Sequence, residues 1–178
     1  MYFTQGVILK KVLTGEADVL LTVYTKDFGK MQCRVQGVRK EAAKLRGHIE
    51  PVSHVSLGLI TGKAGERLTY AVSVHSFRGI RDSEEKMRVA AYIIHSIDRA
   101  CFEGEKDERL WNEALAQFHA LETARFREGE TSSSFFSFPP LSPDARVFLG
   151  EWERQMQELL GNGDRESDEN KIFASVVG

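Results

Sequence analysis

Apolar side chains follow two different periods along this chain. Up to about residue 80 they alternate with polar ones, and from Ser83 onward they recur every third or fourth position. In Val19–Lys26, Val19, Leu21 and Val23 share one face, and Leu20, Thr22 and Tyr24 share the other. In Lys30–Gln36, Met31, Cys33 and Val35 oppose Lys30, Gln32, Arg34 and Gln36. A period of two predicts half-buried strands. Asp27-Phe28-Gly29 lies between these runs, and Gly29 is free to adopt positive φ, so an antiparallel hairpin is predicted. Gln5–Val12, Val52–Ile60 and Arg67–Phe77 read as three further strands, the last two joined around Gly62 and Gly65. Leu68, Tyr70, Val72 and Val74 are expected on one face of the last strand.

The second half reads as helices. Ser83 precedes Glu84 and Glu85, a helix start with acids at the positive dipole end. Met87, Ala90, Ala91, Ile94, Ile97 and Cys101 then form a stripe at helical spacing. A second helix is expected over Glu108–Arg127, with Trp111, Ala114, Leu115, Phe118 and Leu121 apolar. A third runs from Pro143 to about Leu160, with Phe148, Trp152, Met156 and Leu159 on one face. The predicted architecture is therefore α+β. A five-stranded β-barrel of OB type spans residues 1–80, with a turn or two of helix over Arg39–Arg46 before its fourth strand. An SH3-like barrel is the nearest rival. A small helical domain follows over 81–160, and 161–178 forms an acidic linker, disordered in expectation, ending in a short apolar segment.

Charge changes the picture more than composition does. The formal net charge of −2 is near neutral. Yet residues 1–80 hold 12 Lys/Arg against 6 Asp/Glu, and residues 81–178 hold 12 against 20. A phosphate-binding surface needs local positive charge, which a neutral total does not exclude. Lys30, Arg34, Arg39, Lys40, Lys44 and Arg46 are the candidate contacts, on the third strand and the connection after it. Lysines that merely solvate the barrel are the plainer alternative. Tyr24 and Phe28 are candidates to stack on an unpaired base if exposed. In the helical half, Phe118 and Phe148 would hold an apolar-acidic peptide if they border a groove, with Arg125 or Arg127 on its carboxylate.

Catalytic and metal chemistry find little support. Glu16 and Asp18 lie in a turn beside lysines, Gly29, Gly37 and Gly47 make no phosphate-cradling fingerprint, and no nucleophile has both a base and an orienting group. The five histidines make no H-E-x-x-H pattern. His54 and His75 approach across two strands at most, and Cys33 and Cys101 lack metal-site spacing. No enzyme, cofactor or metal is expected. Two cysteines and no apolar run of membrane length fit a cytoplasmic protein in a reducing compartment.

The order Thr14-Gly15-Glu16-Ala17-Asp18, a hydrophobic strand ending in Thr25, Gly29-Lys30, Gly37-Val38-Arg39-Lys40 and Arg46-Gly47-His48-Ile49-Glu50-Pro51 resembles the N-terminal OB domain of the bacterial recombination and repair mediator RecO. The resemblance covers about residues 5–80, and the helices match only in arrangement. It implies binding to single- and double-stranded DNA, strand annealing, and help in loading RecA onto DNA coated by single-strand-binding protein. RecR and the acidic C-terminal peptide of single-strand-binding protein are the implied partners. Two departures stand out. The cysteine-rich zinc element of many members has no counterpart here, and Glu41-Ala42-Ala43-Lys44 replaces their basic, serine-bearing segment.

Overall fold

The computed structural model describes residues 1–14, 18–36, 45, 47–126 and 141–161. Apart from Leu45, the expected helix over Arg39–Arg46 falls outside the described residues, as do Glu16 of the first turn and the acidic C-terminal segment after Gly161. Five strands form one closed barrel: β1 (Tyr2–Thr14), β2 (Asp18–Thr25), β3 (Gly29–Val35), β4 (His54–Gly62) and β5 (Gly65–His75). Their order around the barrel is β1-β2-β3-β5-β4, with β1 closing on β4. All pairings are antiparallel except β3 with β5, where Cys33 faces Glu66 and Arg34 faces Arg67. This is the OB arrangement, with helices after it.

The alternation seen in the sequence explains the filling of the barrel. Val19, Leu21 and Val23 of β2 point inward with Cys33 and Val35 of β3, Val55, Leu57 and Leu59 of β4, and Ile8. The last strand departs from strict alternation. Leu68 and Ala71 are buried, whereas Tyr70, Val72 and Val74 are exposed on the outer face. A bulge is the cause: Gly58 pairs with Tyr70 but Leu59 pairs with Leu68, so Thr69 is the extra residue and the inward phase shifts across it. Val52 is not part of β4. Its φ of 60° is left-handed, uncommon for a β-branched residue, and it is held by Val52 N–H donating to Ile8 O and Ile8 N–H donating to Ser53 O, both at 3.1 Å.

Four helices follow: α1 (Arg78–Arg81), α2 (Glu84–Ala100), α3 (Glu108–Thr123) and α4 (Pro143–Leu160). Ser83, Asp107 and Ser142 cap the three long ones by accepting backbone N–H bonds. On α2 the buried face is Val89, Ala90, Ile93 and Ile97, rotated from the expected stripe, because Met87 and Ile94 stand at its margin and Ala91 is exposed. The short α1 is an addition to the expected elements. It follows Phe77, a fully buried residue at φ 45° that turns the chain sharply out of β5.

The helical half shares its core with the outer face of the barrel. Val7, Leu9, Tyr24, Val52 and Phe77 belong to the same cluster as Val89, Ile93, Trp111, Phe118 and Trp152. The β2–β3 hairpin is locked into this joint. Tyr24 donates its hydroxyl hydrogen to Asp107 O at 3.1 Å, and Gly104 N–H donates to Lys30 O at 3.0 Å. Gly29 has φ +65°, and a Cβ there would stand 1.9 Å from Glu105 O. Gly29→Ala therefore combines left-handed strain with a backbone clash, and a loss of about 2–4 kcal/mol is expected in urea unfolding. Cys33 and Cys101 are free and buried. Burial, aided by the Glu66 charge, pushes the Cys33 thiol up to about 12. Burial likewise pushes Cys101 up to about 11 in spite of nearby Lys30. Neither should react appreciably with iodoacetamide at pH 8 in the native chain, and both should react quickly in denaturant, as mass spectrometry would record.

Candidate nucleic-acid interface

The cations of the barrel divide into engaged and open groups. Lys30 is engaged: its ammonium lies 3.1 Å from Asp98 Oδ1 and also donates to Asp98 O, with 16% of the side chain exposed. It fastens β3 to α2 instead of standing clear on the strand's outer face. Lys11 pairs with Glu50 at 2.6 Å. Arg81 donates to Pro51 O and to Ser53, and Lys86 donates to Glu122 O at 2.7 Å.

Arg34 remains exposed on the outer face of β3. The parallel pairing sets Arg67 of β5 directly beside it, also exposed, with its guanidinium donating to Gln36 Oε1 at 3.3 Å. Sequence reading missed Arg67, because only the β3–β5 pairing brings residues 34 and 67 together. Gln36 is followed immediately by the segment carrying Arg39, Lys40, Lys44 and Arg46, which lie outside the described residues. Lys63, at the β4–β5 turn, is exposed as well. Two guanidiniums on adjacent strands can each hold a phosphate oxygen without touching a base edge.

The two aromatic candidates differ. Tyr24 is completely buried between barrel and helices, its ring 6.1 Å from that of Trp111, so no base can reach it. Phe28 is 40% exposed and packs edge-on against Tyr2 at 4.9 Å. It stands at the hairpin turn, the opposite end of β3 from Arg34. In the helical half, Phe118 is also fully buried, 5.6 Å from Phe77. Phe148 is half-buried against Phe126 at 6.1 Å, Arg125 is exposed nearby in the chain, and Arg127 lies outside the described residues. An open apolar groove occurs elsewhere, between the middle of β1, the segment before β4, and α2. It measures about 310 Å3 and is lined by Leu9, Pro51, Val52, Met87 and Ile94, with Lys10 and Asp98 at its edge.

Among the described residues no helix is long and apolar enough to cross a membrane. His54 and His75 do face one another across β4 and β5. His54 is buried with Nε2 3.1 Å from Gln5 Oε1, and burial, together with His119 and His75, lowers its pKa to about 4. It is neutral at neutral pH and serves packing.

Residues 1–77 match the protein family described as Recombination protein O N terminal. The chain is similar to the DNA repair protein RecO of Rubrobacter xylanophilus, 30% identical over 138 residues that make up 76% of this chain and 54% of that protein. The RecO of Dehalococcoides mccartyi strain BAV1 is 36% identical over 89 residues, 50% of this chain and 35% of the relative. That of Heliobacterium modesticaldum is 33% identical over 99 residues, 56% and 36%. The chain thus spans between about a third and about half of the length of these curated relatives. Homology to the RecO family holds over the barrel and is much weaker through the helices.

The division between engaged and open cations has a measurable consequence. Lys30→Met should cost about 1 kcal/mol in thermal or urea unfolding, by removing a half-buried charge-assisted contact. Arg34→Ala should stay within about 0.5 kcal/mol of the parent. Equal effects of the two substitutions would contradict the assignment.

Proposed function

We propose that this chain, whose barrel is homologous to the N-terminal domain of recombination protein O, is a non-catalytic DNA-binding mediator of repair and recombination. The observation that carries this reading is the match of residues 1–77 to that family. The relatives that match farther into the helices are DNA repair proteins of the same name. In this reading Arg34 and Arg67 form the fixed part of a phosphate-binding surface. Arg39, Lys40, Lys44 and Arg46 extend it along the connection that leaves β3. Contacts of this kind neutralise phosphates and release counterions, so they bind single- and double-stranded DNA with little regard to sequence. Lowering the repulsion between two phosphate backbones on one surface also favours annealing of complementary strands. Assistance in loading RecA follows if the protein holds single strands while single-strand-binding protein is displaced. RecR and the acidic C-terminal peptide of single-strand-binding protein are the proposed partners, with Arg125 and Phe148 the remaining accessible candidates for the peptide.

The groove between β1 and α2 favours one other reading, in which the barrel is a scaffold and the chain is a protein adaptor. The two readings differ in salt dependence. Binding of a labelled single-stranded oligonucleotide, followed by fluorescence anisotropy over a salt series, should weaken steeply as salt rises. Arg34→Ala with Arg67→Ala should lower affinity uniformly across sequences and flatten the log–log salt slope by about 1.4, two contacts at roughly 0.7 each. Unchanged affinity and slope would remove the β3–β5 surface from the proposal. Absence of any salt-sensitive binding would favour the adaptor.

A further inference from the structure

A second cluster of chemistry lies on the other side of the joint, where β5 ends against α3. His75 is the last residue of β5, and His119 and Glu122 are three residues apart on α3, hence on one face of that helix. One donor atom from each, two imidazole nitrogens and a carboxylate oxygen, lies within 4.8 Å of the others. His75 Nε2 already contacts Glu122 Oε2. Nothing in the sequence pattern links residue 75 to residues 119 and 122; the docking of α3 on the barrel does.

The surroundings hold these groups in orientation. Phe77 is fully buried, with its ring 4.6 Å from His75 and 5.2 Å from His119, and so limits where both imidazoles can turn. Glu122 Oε1 accepts from Gly79 N–H at 3.4 Å, which leaves Oε2 to point at the histidines. That approach depends on Gly79, where a Cβ would lie 2.9 Å from Glu122 O. Burial works to raise the Glu122 carboxyl, but hydrogen bonds from His75 and Gly79, with the nearby histidines, outweigh it and hold the group below its usual value. A backbone donor on the second oxygen is the kind of outer support that ligating carboxylates carry.

We infer that His75, His119 and Glu122 form a three-ligand site for a transition-metal dication of the zinc type, clamping the end of the barrel to the helical half. Two imidazoles and one carboxylate suit Zn²⁺, Co²⁺ or Ni²⁺ rather than Mg²⁺ or Ca²⁺, which take oxygen ligands. Ligand bonds of about 2.0–2.2 Å in a tetrahedron place donors about 3.3 Å apart, so His75 and Glu122 must part slightly and His119 must swing inward. The side chains have room for this: His119 is exposed, and His75 and Glu122 are 40% and 21% exposed. Three protein ligands leave the fourth position to water. The site shares no residue with the proposed DNA surface, and it uses neither cysteine. Its test stands apart from the test of DNA binding.

The test uses the untagged full chain, stripped with a chelator and titrated with Co²⁺ and then Zn²⁺. One equivalent of Co²⁺ should give the intense visible absorption of a tetrahedral site, Zn²⁺ should displace it, and Zn²⁺ should raise the melting temperature. His119→Ala should abolish the Zn²⁺-dependent rise in melting temperature and weaken Zn²⁺ binding at least about tenfold. Glu122→Gln keeps the acceptor for Gly79 and should weaken binding comparably. Absence of stoichiometric binding, or binding that persists unchanged in both variants, would overturn the assignment.

Discussion

The tight approach of the β2–β3 turn to the α2–α3 loop is the constraint on which the rest of the molecule depends. Gly29 sits so close to Glu105 that only a hydrogen fits, and Lys30 O receives the Gly104 N–H. Within one turn of chain the Lys30 ammonium reaches Asp98, and Tyr24 reaches Asp107, the residue that caps α3. These contacts seat α2 and α3 on the outer face of β1 and β2, where Val7, Leu9 and Tyr24 would otherwise meet water. Barrel and helices are consequently stabilised by one another's apolar surface, the dominant favourable contribution to folding.

This docking also sorts the charges. The barrel half carries a cationic excess in its sequence, but two of its cations are engaged within the fold: Lys11 by Glu50 and Lys30 by Asp98. What faces outward on the described part of β3 and β5 is the pair Arg34 and Arg67. A phosphate-binding surface at that seam lies away from the face covered by helices. The proposed nucleic-acid and metal roles thus occupy different parts of the barrel, and the helical half acts on both by what it covers and what it presents.

Much of the fold was legible because it rests on local chemistry. Clean alternation in β3, a period of two in β2, a glycine at the hairpin turn, and Ser83 and Pro143 at helix starts each announce themselves within a few residues. What escaped the sequence is tertiary in origin. The bulge at Thr69 reverses the facing of Tyr70, Val72 and Val74, and it depends on the partner strand. The left-handed Val52 and Phe77 are held by bonds and packing from distant segments. The candidate site was less legible still. A lysine on an exposed-looking strand position proved to be engaged because Asp98 arrives from a helix 68 residues later. Arg67 entered through a parallel pairing that no periodicity encodes, and Tyr24 and Phe118 proved to be core because each element has a second packed neighbour.

The β3–β5 seam, and not the hairpin end that is locked to the helices, is where nucleic acid is proposed to bind. An NMR titration of the labelled full chain with a short single-stranded oligonucleotide tests it most directly. Salt-sensitive shifts centred on Arg34, Gln36 and Arg67 are expected, with Tyr24, Gly29, Lys30 and Gly104 unmoved. Shifts centred on the hairpin end and the α2–α3 loop, with the seam silent, would contradict it.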